Sequence, residues 1–168
     1  MTKFSSQEYL RYTRHIQLSS IGVNGQSKLK NAHVLIVGCG GLGAPVSLYL
    51  AAAGIGNITL IDGDVVELSN LQRQITFSEN DIGKSKAECT QKRLQSLNSD
   101  ILVTAINQPL STDNAEALIK TADLVLDCTD NFSTRYLIND LCKFNNTAWI
   151  YASVYQSSGQ CALFTPDQ

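Results

Sequence analysis

The segment HVLIVGCGGLG, residues 33–43, constrains the fold more than any other stretch of the chain. Val, Leu and Ile fill every position from 34 to 37, so the run is apolar on both faces. Such a run suits a strand buried inside a parallel sheet and covered above and below. Gly38-Cys39-Gly40-Gly41-Leu42-Gly43 then spells G-x-G-x-x-G. APVSLYLAAAG follows and reads as a helix with Pro45 in its first turn and Gly54 at its end. Strand, glycine turn and helix in this order are the context in which the pattern binds nucleotides. Glycines let the backbone come within hydrogen-bond reach of a phosphate, and the helix N-terminus favours the negative charge. Gly38, Gly40, Gly41 and Gly43 are therefore candidate nucleotide contacts.

The rest of the chain repeats the alternation. Strands are expected over 57–62, 101–107, 124–128 and 149–154, and helices over 83–98, 113–122 and 132–145. Residues 161–165 are expected to pair with 149–154 across a turn at Ser157–Gly159. Two helices, 5–14 and Asn24–Asn31, precede the first strand, with Ser5 and Glu8 as cap and first turn. Ala87, Leu94 and Leu97 share one face of the helix over 83–98. Phe132, Tyr136, Leu137 and Leu141 are the expected inward face of the helix over 132–145. Alternating strands and helices imply right-handed crossovers. The expected fold is Rossmann-like α/β: a mainly parallel sheet, helices on both faces, and an N-terminal helical extension. The length, 168 residues, suits one nucleotide-binding domain spanning 1–168. Ligands of such sheets sit at the carboxyl ends of the strands.

Composition narrows the function classes. With 13 basic and 15 acidic residues, the formal charge is -2, so no nucleic-acid partner is expected. No stretch approaches the ~20 apolar residues that would span a bilayer. The N-terminal MTKFSSQEYLRYTRH has no apolar signal core. Cys39, Cys89, Cys128, Cys142 and Cys161 are widely spaced and form no Cys-x-x-Cys pair. They read as core thiols of a reduced, cytoplasmic protein, not as a disulfide framework or a zinc site. His15 and His33 belong to no ligand set.

Three strand ends carry the chemistry. Asp62 ends the second strand, where a carboxylate can accept from both ribose hydroxyls or simply open a surface loop. The amide-rich SNLQRQ, residues 69–74, places Asn70 and Gln72 beside Arg73, an arginine that looks buried. Its planar fork of donors suits phosphate oxygens. Gly83-Lys84-Ser85 mimics a P-loop, but position 78 is Ser where that motif needs Gly, and no apolar strand leads into it. Lys84 and Lys86 start a helix, where the dipole disfavours cations, so either they are solvated or one faces an anionic ligand. At the fourth strand end, Asp127-Cys128-Thr129-Asp130-Asn131 offers two carboxylates and an amide. Asp130 is a hard oxygen ligand suited to Mg²⁺ on phosphates. The competing roles are a helix cap by Asp130 or Asn131 and a buried hydrogen-bonding Asp127.

RYTRHI at 11–16, VLIVGCGGLGAP, Asp62, LSNLQRQ, a lysine after Gly83, and LVLDCTDN occur in that order. The combination resembles the ubiquitin-activating-enzyme superfamily, in its ThiF/MoeB/HesA branch. The resemblance implies ATP-dependent adenylation of the C-terminal glycine of a ubiquitin-like sulfur-carrier protein ending in Gly-Gly, ahead of thiocarboxylate formation for thiamine or molybdopterin biosynthesis. By resemblance, Gly41 contacts ATP through its backbone, Asp62 holds the ribose, and Asn70, Arg73 and Lys86 address the phosphates. Asp130 supports Mg²⁺, and Arg14 enters the neighbouring subunit's site of a homodimer. LFTP near position 165 leans towards the thiamine branch. Family members usually continue with zinc-binding Cys-x-x-Cys pairs, so this chain is expected to lack their C-terminal part and the zinc ligands. Two other readings rest on fewer residues: an NAD-dependent oxidoreductase, from the glycine loop and Asp62 alone, and a non-catalytic ATP-binding relative.

Overall fold

The computed structural model describes residues 4–167. Three short helices open the chain: α1 (Ser6–Arg11), α2 (Thr13–Ile16) and α3 (Gly22–Asn31). Then come β1 (His33–Val37), α4 (Gly43–Ala53), β2 (Asn57–Ile61), α5 (Lys86–Leu97), β3 (Leu102–Ile106), α6 (Ala115–Ile119), β4 (Leu124–Asp127), α7 (Phe132–Phe144), β5 (Ala148–Tyr155) and β6 (Ser158–Phe164). The six strands form one sheet in the order β3-β2-β1-β4-β5-β6, parallel except for the β5–β6 hairpin. The Rossmann-like reading of the sequence therefore holds.

Side chains of a strand alternate between faces, and the core divides accordingly. Val34, Ile36, Ile58, Leu60 and Val103 face α4 and α5, together with Ala51, Ala87 and Leu94. Leu35, Val37, Ile61 and Val125 face the other way, onto Ala115 and Ile119 of α6 and Ile138 and Cys142 of α7. The strand order reverses between β1 and β4, which opens a crevice at their carboxyl ends.

The N-terminal extension has three helices where two were expected, because the segment 5–14 forms both α1 and α2. The Ser5–Glu8 capping box forms as read, but the helix breaks at Tyr12. The break sends the Tyr12 ring inward to 4% exposure, where its hydroxyl accepts from Asn98 Nδ2 at 2.8 Å. His15 Nδ1 meets Gln26 Oε1 at 2.9 Å, and Gln26 donates to the Ala53 carbonyl. These contacts lie at the C-terminal ends of α4 and α5, so the extension packs at the opposite end of the sheet from the crevice.

Three further expectations are corrected. In α7, Phe132 and Tyr136 are 70% and 66% exposed, while Ile138 and Cys142 are fully buried. The two aromatics stack on each other on the outer side of the helix. Leu137 and Leu141 do pack against the core, at the margin of the buried stripe. Leu97, in the last turn of α5, is exposed, whereas Ala87 and Leu94 are buried as read. The hairpin turn is Gln156–Ser157, with Gln156 in the left-handed region (φ 52°), and β6 starts three residues earlier than expected.

Two glycines of the turn after β1 should respond oppositely to a methyl group. A Cβ on Gly43 would collide with the Gly38 carbonyl oxygen, which is backbone and cannot move aside. A Cβ on Gly40 would meet only Gln74 Nε2, at 3.6 Å. Gly43→Ala is expected to cost about 2–4 kcal/mol in urea unfolding and Gly40→Ala less than about 1 kcal/mol. Equal losses would show that the close approach at Gly43 is not tight.

Candidate active site

The crevice is a cavity of about 960 Å³, large enough for a nucleotide. Its floor is the turn from β1 into α4, where Gly38, Gly40, Gly41 and Leu42 line it. Gly43 does not. It is buried where α4 starts against the end of β1, so its part is to bring helix and strand together, not to touch a ligand.

Asp62, Asn70, Arg73, Lys86 and Asp130 all line this one cavity. Asp62 stands where β2 ends. Its Oδ2 accepts from the Cys39 backbone N–H and its Oδ1 from that of Asp64, both at 2.7 Å. The carboxylate is thereby locked beside the glycine turn, with spare lone pairs for a ligand. Burial nevertheless raises its pKa, outweighing the two backbone hydrogen bonds that lower it.

The SNLQRQ segment folds as a tight turn over Leu68–Asn70. Asn70 is buried, and its Oδ1 accepts from the Glu67 backbone N–H at 3.1 Å. Arg73 is exposed, contrary to expectation. Its Nη1 donates to the Ser69 carbonyl at 3.2 Å, and its side chain passes over Gly41. The buried member of the segment is Gln74, 3% exposed, whose Oε1 has no hydrogen-bond partner. Sequence reasoning missed Gln74 because an amide carries no periodic signal. Its adjacency to Arg73 was the only hint.

The lysine alternative resolves by burial. Lys84 is on the surface, 3.8 Å from Asp81. Lys86 is 7% exposed, opens α5 behind the Ser85 cap, and pairs with Asp64 at 2.9 Å. Asp64 was also missed. It is largely exposed and holds a buried cation in place at the cavity wall.

The loop after β4 separates the roles of its polar residues. Asp127 is fully buried, and its Oδ1 accepts from the Thr129 N–H at 2.9 Å and hydroxyl at 2.6 Å. Burial raises its pKa. Arg135 donates to the Thr129 carbonyl at 2.6 Å and faces Asp127 Oδ2 at 3.6 Å, which fixes the loop from behind. Asn131 caps α7, accepting from the Thr134 N–H. Asp130 is left exposed in the cavity. Cys128 also lines the cavity. Burial pushes its thiol up to about 12, so it adds no negative charge at neutral pH. The cysteine reading is corrected at Cys161, which is exposed on β6.

Like Gly43, Arg14 is a proposed site residue that does not line the cavity. It is exposed on α2, at the far end of the sheet. Among the described residues no three His, Cys, Asp or Glu side chains cluster as a metal site, and no helix is long and apolar enough to cross a membrane.

Fold and cavity together are those of a Rossmann-like α/β domain. The chain belongs to the ThiF family, which it matches over residues 12–168. It is 46% identical over 163 residues to a probable adenylyltransferase/sulfurtransferase, MoeZ, of Mycobacterium tuberculosis, covering 97% of this chain and 42% of that protein. It is 47% identical over 162 residues to the sulfur carrier protein ThiS adenylyltransferase of Escherichia coli, covering 96% of this chain and 64% of that one. A crystal structure of E. coli MccB with ATP superimposes with a TM-score of 0.83 at 38% identity, over 93% of this chain and 48% of MccB. The chain thus spans between 42% and 64% of the length of these relatives.

Asp62 gives a signed pH prediction. Its raised pKa means the folded state holds this proton more tightly than the unfolded chain. Stability then falls as pH rises from about 3.9, the unfolded value, through the raised folded value. Relative to Asp62→Asn, the wild type should lose stability across that window in urea unfolding at successive pH values. A difference that is flat or rises with pH would contradict the burial argument.

Proposed function

We propose that this chain adenylates the C-terminal glycine carboxylate of a ubiquitin-like sulfur-carrier protein, using ATP. The single observation that carries this reading is that the glycine turn, Asp62, Asn70, Arg73, Lys86 and Asp130 share one cavity. A nicotinamide oxidoreductase would have no task for the last three.

The carrier carboxylate attacks the α-phosphorus. The bond from that phosphorus to the oxygen bridging it to the β-phosphate breaks, and pyrophosphate leaves with the electron pair. Both reactants are anions, so the site must offset charge before they can meet. Fixed positive groups, aimed where charge develops and needing no reorganisation, are the most effective way to do so. The backbone of Gly40 and Gly41 and the N-terminus of α4 receive the phosphates. Asp62 accepts from the ribose. Lys86 is held in place by Asp64, and Arg73 reaches across Gly41. Asp130 fits Mg²⁺, which is commonly held by one or two carboxylates together with substrate phosphates. When bound, that ion would neutralise charge on the leaving pyrophosphate.

Arg14 serves a second copy in a homodimer on this reading, because it lies at the wrong end of the sheet to serve its own cavity. The free thiols fit a reducing, cytoplasmic setting. Relatives named for ThiS and for molybdopterin synthase support thiamine or molybdopterin biosynthesis as the setting.

ATP–pyrophosphate exchange with a carrier ending in Gly-Gly tests the proposal. Asp130→Ala and Arg73→Ala should each reduce exchange by about 10²-fold or more while melting as the wild type does. Exchange that is absent from the folded protein, or undiminished in Asp130→Ala, would overturn the reading.

A further inference from the structure

The segment after Asn70 makes one helical turn. The backbone N–H groups of Arg73 and Gln74 both donate to the Asn70 carbonyl, at 3.1 and 2.9 Å. Residues three and four apart on such a turn share a face. Asn70, Arg73 and Gln74 accordingly all line the cavity. Leu71 packs instead beside Val66 and Phe77, and Gln72 is exposed outside the cavity.

Two consecutive side chains of this turn cover two consecutive glycines. Arg73 Cδ and Nε lie 3.6 and 3.7 Å from the point a Cβ of Gly41 would occupy. Gln74 Nε2 lies 3.6 Å from the corresponding point on Gly40. A cation thus stands over one glycine and a neutral donor over the other. Gln74 is 3% exposed, and its buried Oε1 has no hydrogen-bond partner. A buried polar atom left unpaired costs free energy, whereas an apolar group of the same shape does not. The amide therefore contributes nothing to the empty protein that an apolar side chain would not do better. Its use lies with a ligand in the cavity it faces.

The order of groups along the turn says which part of ATP that is. Asp62, the ribose acceptor, is bonded to the Cys39 N–H at 2.7 Å. Gly40 follows Cys39, and Gly41 comes next, beneath Arg73. The phosphate bonded to the ribose then falls at Gly40, and the outer phosphates fall towards Gly41 and Arg73. We propose that Gln74 Nε2 donates to a non-bridging oxygen of the α-phosphate, the group that the carrier carboxylate attacks. This rests on the adenylation reading and assigns the reacting phosphate its side-chain donor. Oxygens of an ionised phosphate accept and do not donate, so the amide must present Nε2 to them, as it does here. A donor without net charge orients the α-phosphate, while Arg73 and Lys86 remain free to draw charge onto the leaving pyrophosphate.

Gln74→Met keeps the unbranched shape and removes the amide. It should melt at or above the wild-type temperature, because an unpaired acceptor is lost with it. It should also lower kcat for ATP–pyrophosphate exchange about tenfold or more, with the KM for carrier within about twofold of wild type. An unchanged kcat, or a loss that accompanies a lower melting temperature, overturns the proposal. The wild type gives a second readout that depends on no variant. Titration with a non-hydrolysable ATP analogue and Mg²⁺ should produce saturating shifts of the Gln74 side-chain amide resonances, with those of Gln72 unmoved. Adenosine, which carries no phosphate, should leave both in place. Gln74 resonances that ignore the analogue, or that respond equally to adenosine, also defeat the assignment. A wild type that binds no ATP analogue counts against the adenylation reading and takes this assignment with it. A wild type that binds and exchanges, matched in kcat by Gln74→Met, counts against Gln74 alone.

Discussion

Three stretches of backbone meet where β1 ends. A side chain on Gly43 would strike the carbonyl of Gly38, and one on Gly38 would come within 2.9 Å of the carbonyl of Cys128. The start of α4, the end of β1 and the loop after β4 are therefore as close as backbones can be. Everything in the cavity depends on this contact. It aims the N–H groups at the start of α4 into the crevice. It also brings the loop carrying Asp130 to within one cavity of the turn carrying Gly40 and Gly41. A larger residue at either position would push the loop and the helix apart, and the positive groups would no longer converge.

Around that contact, the charged groups are held before any ligand arrives. Lys86 is buried but paired with an exposed carboxylate, Asp64, which a phosphate can replace without moving the lysine far. Asp62 stays beside the glycine turn despite a burial cost that raises its pKa. Burial raises the pKa of Asp127 too, two strands over at the end of β4, offset in part by Thr129 and Arg135. Both carboxylates whose pKa burial raises thus stand at carboxyl ends of strands, β2 and β4.

Much of this was legible in the sequence. The apolar run of β1 and the glycine turn defined the fold class, because few other arrangements bury such a run on both faces. Asp62 and Asp130 were placed at strand ends by topology and Arg73 was marked by its residue type, whereas Asn70 and Lys86 were singled out only by the family resemblance. What sequence could not give were the features decided by packing in three dimensions. Nothing local distinguishes Gln74, which is buried, from Arg73, which is exposed. The inward face of α7 was misread because Phe132 and Tyr136 are the bulkier apolar groups, whereas the sheet admits Ile138 and Cys142. Gly43 matched the nucleotide pattern yet serves helix–strand contact. Asp64 and Arg135 act through their neighbours, a role that residue type alone does not reveal.

The central claim is that one cavity beside the glycine turn gathers these groups to hold a triphosphate. Backbone amide shifts recorded while titrating the protein with a non-hydrolysable ATP analogue and Mg²⁺ address it most directly. The account predicts saturating shifts at Gly40, Gly41, Arg73 and Asp130 together, with the amides of β1 to β3 at the far end of the sheet unmoved. Shifts centred on His33, Asn57 and Leu102, which line a small pocket at the opposite end, would contradict it.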